Sequence, residues 1–236
     1  MNFKGKIALL TGATGELGKA LTKKFLEAGA DVAVTYRNES EVPQFTKDFP
    51  GILMLKGDLS QEKDVREIFA ILLEKKKAIH ILCNLVGGYM AKKDIADLDV
   101  TEWEFMFALN LKTCFLCSQN ALRMMRKNKY GRIVNVSAMA GLSPEAGRGA
   151  YGIAKAGVAT FTHIAGEEAK SYTDSDITVN AIAPSILLTA ANKQSASKVE
   201  IAAWVTLDEA ADVILFLASD EASAINGQTV KVYGGV

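Results

Sequence analysis

Short continuous apolar runs alternate with longer segments whose apolar residues recur every three to four positions, from one end of the chain to the other. The runs predict strands over 6–11, 31–36, 52–56, 79–84, 131–137, 177–182 and 229–233, and the amphipathic segments predict helices over 16–29, 40–48, 60–76, 101–127, 150–171 and 207–219. Most strands are apolar along nearly their whole length, as in Ile133-Val134-Asn135-Val136, which is the mark of parallel strands covered by helices on both faces. The pattern predicts an α/β fold, a doubly wound parallel sheet of seven strands in one domain spanning 1–236. Residues 184–206 show no clear period, and an irregular segment of that length is expected to serve as a lid or binding loop. The small residues Ser195, Ala196 and Ser197 are expected to leave an open pocket under the loop from Ser185 to Val205.

Composition narrows the function. With 27 basic residues against 27 acidic ones the formal charge is zero, which argues against a general nucleic-acid surface. The run Lys75-Lys76-Lys77 reads as the solvated end of a helix. No apolar stretch reaches the roughly 18 residues that a membrane helix needs. Three cysteines do not build a disulfide framework and fit a reducing compartment. The start, Met1-Asn2-Phe3-Lys4-Gly5-Lys6, has no secretory leader pattern, so the expected location is cytoplasmic.

The first strand runs directly into Thr11-Gly12-Ala13-Thr14-Gly15-Glu16-Leu17-Gly18, which opens the first helix. Glycines there let the backbone turn tightly and approach a pyrophosphate, and the N–H groups of the helix start favour the anion. A dinucleotide is the expected ligand. At the end of the second strand an acid would accept a bond from a ribose 2′-hydroxyl, whereas an arginine pairs with a 2′-phosphate. Tyr36 and Arg37 occupy that place, so NADP(H) is preferred and NAD(H) is the alternative.

Four further pieces follow in order: Gly57-Asp58-Leu59, Asn84-Leu85-Val86-Gly87, Tyr151-Gly152-Ile153-Ala154-Lys155 and Asn180-Ala181-Ile182-Ala183-Pro184. With the glycine turn and the tail Ile225-Asn226-Gly227-Gln228, they make the chain resemble the short-chain dehydrogenase/reductase family over essentially its whole length. The resemblance implies a Rossmann-like sheet in the order 3-2-1-4-5-6-7, a nicotinamide cofactor, a small-molecule substrate and oxidoreductase activity. It places the cofactor against Gly12, Thr14, Gly15, Glu16, Leu17, Gly18, Arg37, Asp58, Leu59, Asn84, Val86, Gly87, Tyr151, Lys155, Pro184, Leu187 and Thr189.

Reducing a carbonyl needs a proton donor where negative charge develops. A free tyrosine has a pKa near 10 and benefits from a nearby cation. Tyr151 and Lys155 lie four apart on a predicted helix, hence on one face with Cβ atoms about 5–6 Å apart. By the resemblance Tyr151 is the general acid/base, Lys155 lowers its pKa and holds the nicotinamide ribose, and Asn110 links Lys155 to solvent through water.

Two departures stand out. Family members usually carry a serine thirteen residues before the tyrosine to orient the substrate carbonyl; Ala138 stands there, and the preceding Ser137 is expected to face the other way. The glycine turn has Glu16 where the compact branch has its middle glycine, and 236 residues leave no room for the extended branch's substrate region. The GxxGxxG turn, the missing serine, Val86-Gly87-Gly88-Tyr89, and Thr189-Ala190-Ala191-Asn192-Lys193 followed by Trp204 are similar to the quinonoid dihydropteridine reductase branch, although that branch typically carries an acid after the second strand. A small carbonyl or quinonoid substrate is therefore expected, with a catalytically weakened NADPH-binding regulator as the alternative.

Cys114-Phe115-Leu116-Cys117 spells CxxC, but inside an apolar helix without a second pair it reads as packing. Neither His80 nor His163 has partners at ligand spacing, and no metal is predicted. The helix over 101–127 is apolar around much of its circumference, which predicts a homodimer or homotetramer packed through it and through 150–171.

Overall fold

The first strand shows how the sheet is covered. In β1 (Ile7–Thr11) successive side chains point to opposite faces, so Ala8 and Leu10 enter one apolar cluster and Leu9 enters another. Both clusters are closed by helices, which is why the run carries no alternating polar residue. The computed structural model describes residues 1–194 and 197–236, so Ser195 and Ala196, two of the three small residues expected to leave a pocket open, lie outside the described residues.

After β1 come α1 (Glu16–Glu27), β2 (Asp31–Tyr36), α2 (Val42–Asp48), β3 (Leu53–Lys56), α3 (Glu62–Lys76) and β4 (Ile81–Asn84). The second half continues with α4 (Val100–Phe107), α5 (Thr113–Asn128), β5 (Tyr130–Val136), α6 (Met139–Leu142), α7 (Gly149–Lys170) and β6 (Asp176–Pro184). It ends with α8 (Ala190–Lys193), α9 (Lys198–Ala203), α10 (Leu207–Leu217) and β7 (Thr229–Val232). The seven strands are parallel and lie in the order β3-β2-β1-β4-β5-β6-β7. Helices α1 and α10 seal one face against Phe25, Leu21, Ile214 and Leu217, while α3 and α5 seal the other with Ile68, Leu72, Leu116 and Met125. No helix among the described residues is long and apolar enough to cross a membrane.

The predicted helix over 101–127 is three pieces, not one. Between α4 and α5 the turns widen into a π segment, Ala108–Lys112, with Asn110 buried at its centre. A π bulge accommodates one extra residue in the helical turn, and here the Asn110 amide donates to the Met106 carbonyl at 3.1 Å and the Gly88 carbonyl at 3.0 Å. The stretch over 184–206 also differs from the expected irregular loop. Strand β6 continues to Pro184, the Thr189 hydroxyl caps α8 by accepting from the Asn192 N–H, and the Leu188 N–H donates to the Val205 carbonyl at 2.8 Å. Thr206 and Glu209 form a capping box that starts α10, in keeping with the acids expected in its first turn.

Candidate active site

The carboxyl ends of β1, β2, β3 and β4 open onto a groove of about 420 Å³. Crevices at this edge of a parallel sheet, where the strand order reverses, are where such folds take ligands. On one side the backbone of Gly12 adopts φ +63°, a left-handed conformation that glycine enters at no steric cost. Gly18 is more constrained: a Cβ there would stand 2.4 Å from the Ala13 Cα and 2.6 Å from the Gly12 carbonyl, so the turn and α1 meet only because no side chain intervenes. The N–H groups of the α1 start face the anion side of such a turn. Arg37, exposed beyond the end of β2, and Asp58 and Leu59 beyond β3 complete the distal end of the groove. Asp58 is buried enough to resist ionisation, yet hydrogen bonds from the Ser60 N–H at 2.9 Å and hydroxyl at 2.8 Å, with the charges of Arg37 and Lys112, hold its carboxyl below the usual range.

Gly87 lines the groove in front of Lys155, a residue of α7. A Cβ on Gly87 would lie 2.8 Å from the Asn110 Oδ1 and 2.9 Å from the Lys155 Nζ, so the glycine is what lets both polar groups reach this point. Asn110 clamps the next residue from both directions, accepting from the Gly88 N–H at 3.0 Å and donating to its carbonyl at 3.0 Å. Lys155 is buried, and its Nζ donates to the Val136 carbonyl at 2.8 Å. Loss of hydration pushes its ammonium down to about 8. Tyr151 lies one helical turn earlier, its ring centre 5.9 Å from the Lys155 Nζ. Burial pushes its phenol up to about 12, with the Arg148 guanidinium pulling down and the Tyr89 phenol pushing up. Desolvation is the largest influence on Tyr151 and outweighs the pull of the Arg148 guanidinium.

The residues fit a nicotinamide dinucleotide: a glycine cradle that a side chain would fill, a helix start for the pyrophosphate, an arginine at the distal end and a buried ammonium at the proximal one. A family model described as enoyl-(acyl carrier protein) reductase matches residues 12–236. The 3-oxoacyl-[acyl-carrier-protein] reductase FabG of Vibrio cholerae is 32% identical, covering 100% of this chain and 99% of its own. The chain belongs to the short-chain dehydrogenase/reductase family. The 7alpha-hydroxysteroid dehydrogenase of Bacteroides fragilis is 30% identical over 99% of this chain and 95% of its own. The structure of ElxO with NADP bound superposes with a TM-score of 0.90 at 26% identity, covering 98% of both chains.

Against the expectations for this short-chain dehydrogenase/reductase, Gly12, Thr14, Gly15, Arg37, Asp58, Leu59, Val86 and Gly87 line the groove. Others stand elsewhere. Leu17 packs against the apolar core and Gly18 underlies the turn. Glu16 spends its carboxylate on the Ala190 N–H at 3.0 and 3.1 Å, bridging the glycine turn to α8. Asn84 is buried in a polar network, donating to Ser118 at 2.9 Å and Asn135 at 2.8 Å, so the last residue of β4 braces the sheet below the groove. Pro184 ends β6, Leu187 bridges to Val205, and Thr189 caps α8. Asn110 makes no direct bond to Lys155; its side chain is committed to Gly88 and Met106. Ser137 donates to the Lys155 carbonyl at 2.7 Å, so its hydroxyl is used on the far side of the strand end and Ala138 holds the place of the family serine.

Among the groove residues that escaped the sequence, Glu41 is the one that carries charge. Glu41 lines the distal end and accepts from the Thr14 hydroxyl at 2.8 Å and from the Asn38 amide at 3.2 Å. The acid absent from the end of β2 is thus supplied by a 3₁₀ turn, Glu39–Glu41, just beyond it. The acid pair after Arg37 was the only signal for it. The CxxC cysteines are buried free thiols, and burial pushes Cys114 up to about 12 and Cys117 higher still, so neither is a nucleophile. Among the described residues no cluster could hold a metal ion.

Proposed function

We propose that the chain is an NADP(H)-preferring reductase of a small carbonyl or quinonoid compound, a dihydropterin-like ring among the candidates, with cofactor and substrate sharing one domain. The observation that carries this reading is the placing of the Lys155 Nζ directly behind Gly87 of the groove lining and 5.9 Å from the Tyr151 ring centre. The glycine turn and the α1 start would hold the pyrophosphate, Arg37 the 2′-phosphate, and Lys155 the nicotinamide ribose hydroxyls. When bound, the nicotinamide supplies a hydride to the substrate carbon. Tyr151 gives its phenolic proton to the oxygen as charge develops there. Burial keeps that phenol protonated at neutral pH, the form a reduction consumes. Lys155, held near 8, is still mostly charged at pH 7 and can stabilise the phenolate left behind.

The test is loss of NADPH absorbance with a panel of ketones, quinones and quinonoid dihydropterin generated in situ. Tyr151→Phe is expected to lower turnover by about 10² to 10⁴-fold while fluorescence titration shows NADPH affinity unchanged. No NADPH consumption on any compound overturns the reading. Ala138 favours a second reading, a nucleotide-binding regulator, which tight NADPH binding without turnover would support.

The chain is further proposed to pair with copies of itself through helices over 101–127 and 150–171. Phe105, Phe115, Ile153 and Ile164 stand exposed on these helices, an apolar array that a second copy would cover. Sedimentation showing only monomer at micromolar concentration refutes that. Buried free thiols suit a cytoplasmic setting.

A further inference from the structure

With Ala138 in the serine position and Ser137 turned away, the site lacks the hydroxyl that would orient a substrate carbonyl beside Tyr151. The groups around Tyr151 narrow the choice of a replacement. A small cavity of about 30 Å³ next to it is bordered by Tyr89, Lys93, Glu102, Met106 and Arg148. Lys93 is paired with Glu102 at 2.6 Å, and Arg148 sits 3.2 Å from Glu145. Tyr89 is different: it is 49% exposed, and its hydroxyl has no hydrogen-bond partner among the described residues. Its ring meets that of Tyr151 edge to face, with centres 5.2 Å apart and planes at 75°. The Arg148 guanidinium lies 5.5 Å from the Tyr89 ring centre, within cation–π range. The two phenols already sense each other, since the Tyr89 phenol is one of the groups that move Tyr151.

Resting on the reductase reading, we propose that the Tyr89 hydroxyl is the second hydrogen-bond donor to the substrate carbonyl oxygen, taking over the orienting role that a serine fills elsewhere in the family. Tyr89 keeps its proton throughout; the proton transferred is that of Tyr151.

The experiment is a cycle of Tyr89→Phe, Ala138→Ser and the double variant, assayed with NADPH and the best substrate of the panel. Removing one such donor elsewhere lowers kcat by about 10² to 10³-fold, and Tyr89→Phe is expected to lower kcat by at least about 30-fold with NADPH affinity by fluorescence unchanged. Ala138→Ser in the Tyr89→Phe background is expected to recover at least tenfold of the loss, which a merely structural role of the ring would not allow. Unchanged kcat in Tyr89→Phe, or a loss that the serine does not mend, overturns the proposal and leaves the reductase reading standing. Absence of turnover in the wild-type chain on every compound overturns both.

Discussion

Lys155 carries a cost in stability, and the cost can be measured. The buried ammonium titrates at about 8 against 10.5 for a free lysine. Below pH 8 both folded and unfolded chains hold the proton, and the folded state is penalised by about 3 kcal/mol. Between pH 8 and 10.5 the folded chain has released a proton that the unfolded chain still binds, so wild-type stability rises with pH through this window. Above it the penalty has gone. Replacing Lys155 by methionine keeps the bulk and removes the charge, but it leaves the Val136 carbonyl without its donor, a loss of about 1 kcal/mol. Lys155→Met should therefore gain about 2 kcal/mol at pH 7, raising Tm by about 4–8 °C for a chain of this size, while turnover is lost. Urea unfolding followed by circular dichroism at pH 7, 9 and 10.5 would trace the difference. The reasoning is refuted if the variant is no more stable at pH 7, or if its advantage fails to shrink as the pH rises.

Gly18→Ala brings a Cβ to 2.4 Å from the Ala13 Cα and 2.7 Å from its carbonyl carbon, with no flexible side chain to give way. It should abolish NADPH binding and lower stability by about 1–3 kcal/mol, whereas Gly131→Ala crowds the buried Met125 side chain, away from the groove, and should cost stability while leaving binding intact. Thermal unfolding and fluorescence titration of the two variants separate these outcomes. Arg37→Ala removes the cation at the distal end of the groove; NADPH affinity should fall by about 10 to 100-fold, the worth of a hydrogen bond to a charged group, with NADH affinity little changed. Equal losses for the two cofactors would show that Arg37 does not read the 2′-phosphate.

The sheet was legible because its strands are buried on both faces and announce themselves as apolar runs, Ile133-Val134-Asn135-Val136 most plainly. Their ends were less so: the strand expected over 79–84 begins at Ile81, although the His80 backbone still bonds to Ile7 and Arg132 on either side. The widening at Ala108–Lys112 left no trace in the periodicity, because its cause is a tertiary bond from Asn110 to Gly88, 22 residues away. Asn84 and Glu41 exchanged places for the same reason. A motif position looked like a ligand contact and proved to be a brace of the sheet, and an unremarkable acid was carried into the groove by a single 3₁₀ turn. Tyr151 and Lys155 were singled out by their register within the family resemblance, but the burial that governs Tyr151 is a matter of solvent access that no spacing encodes.

The clasp between Glu16 and the Ala190 N–H joins two stretches 174 positions apart, one at the cofactor turn and the other in the segment expected to meet substrate. A ligand at either stretch that strengthens or loosens the clasp changes the affinity of the other, and by thermodynamic linkage the factor is the same in both directions. Cofactor and substrate affinities would then not be separate properties of two pockets. Under the proposed reading one carboxylate would tie them, and the dissociation constant of either ligand measured alone would differ from its value with the other bound.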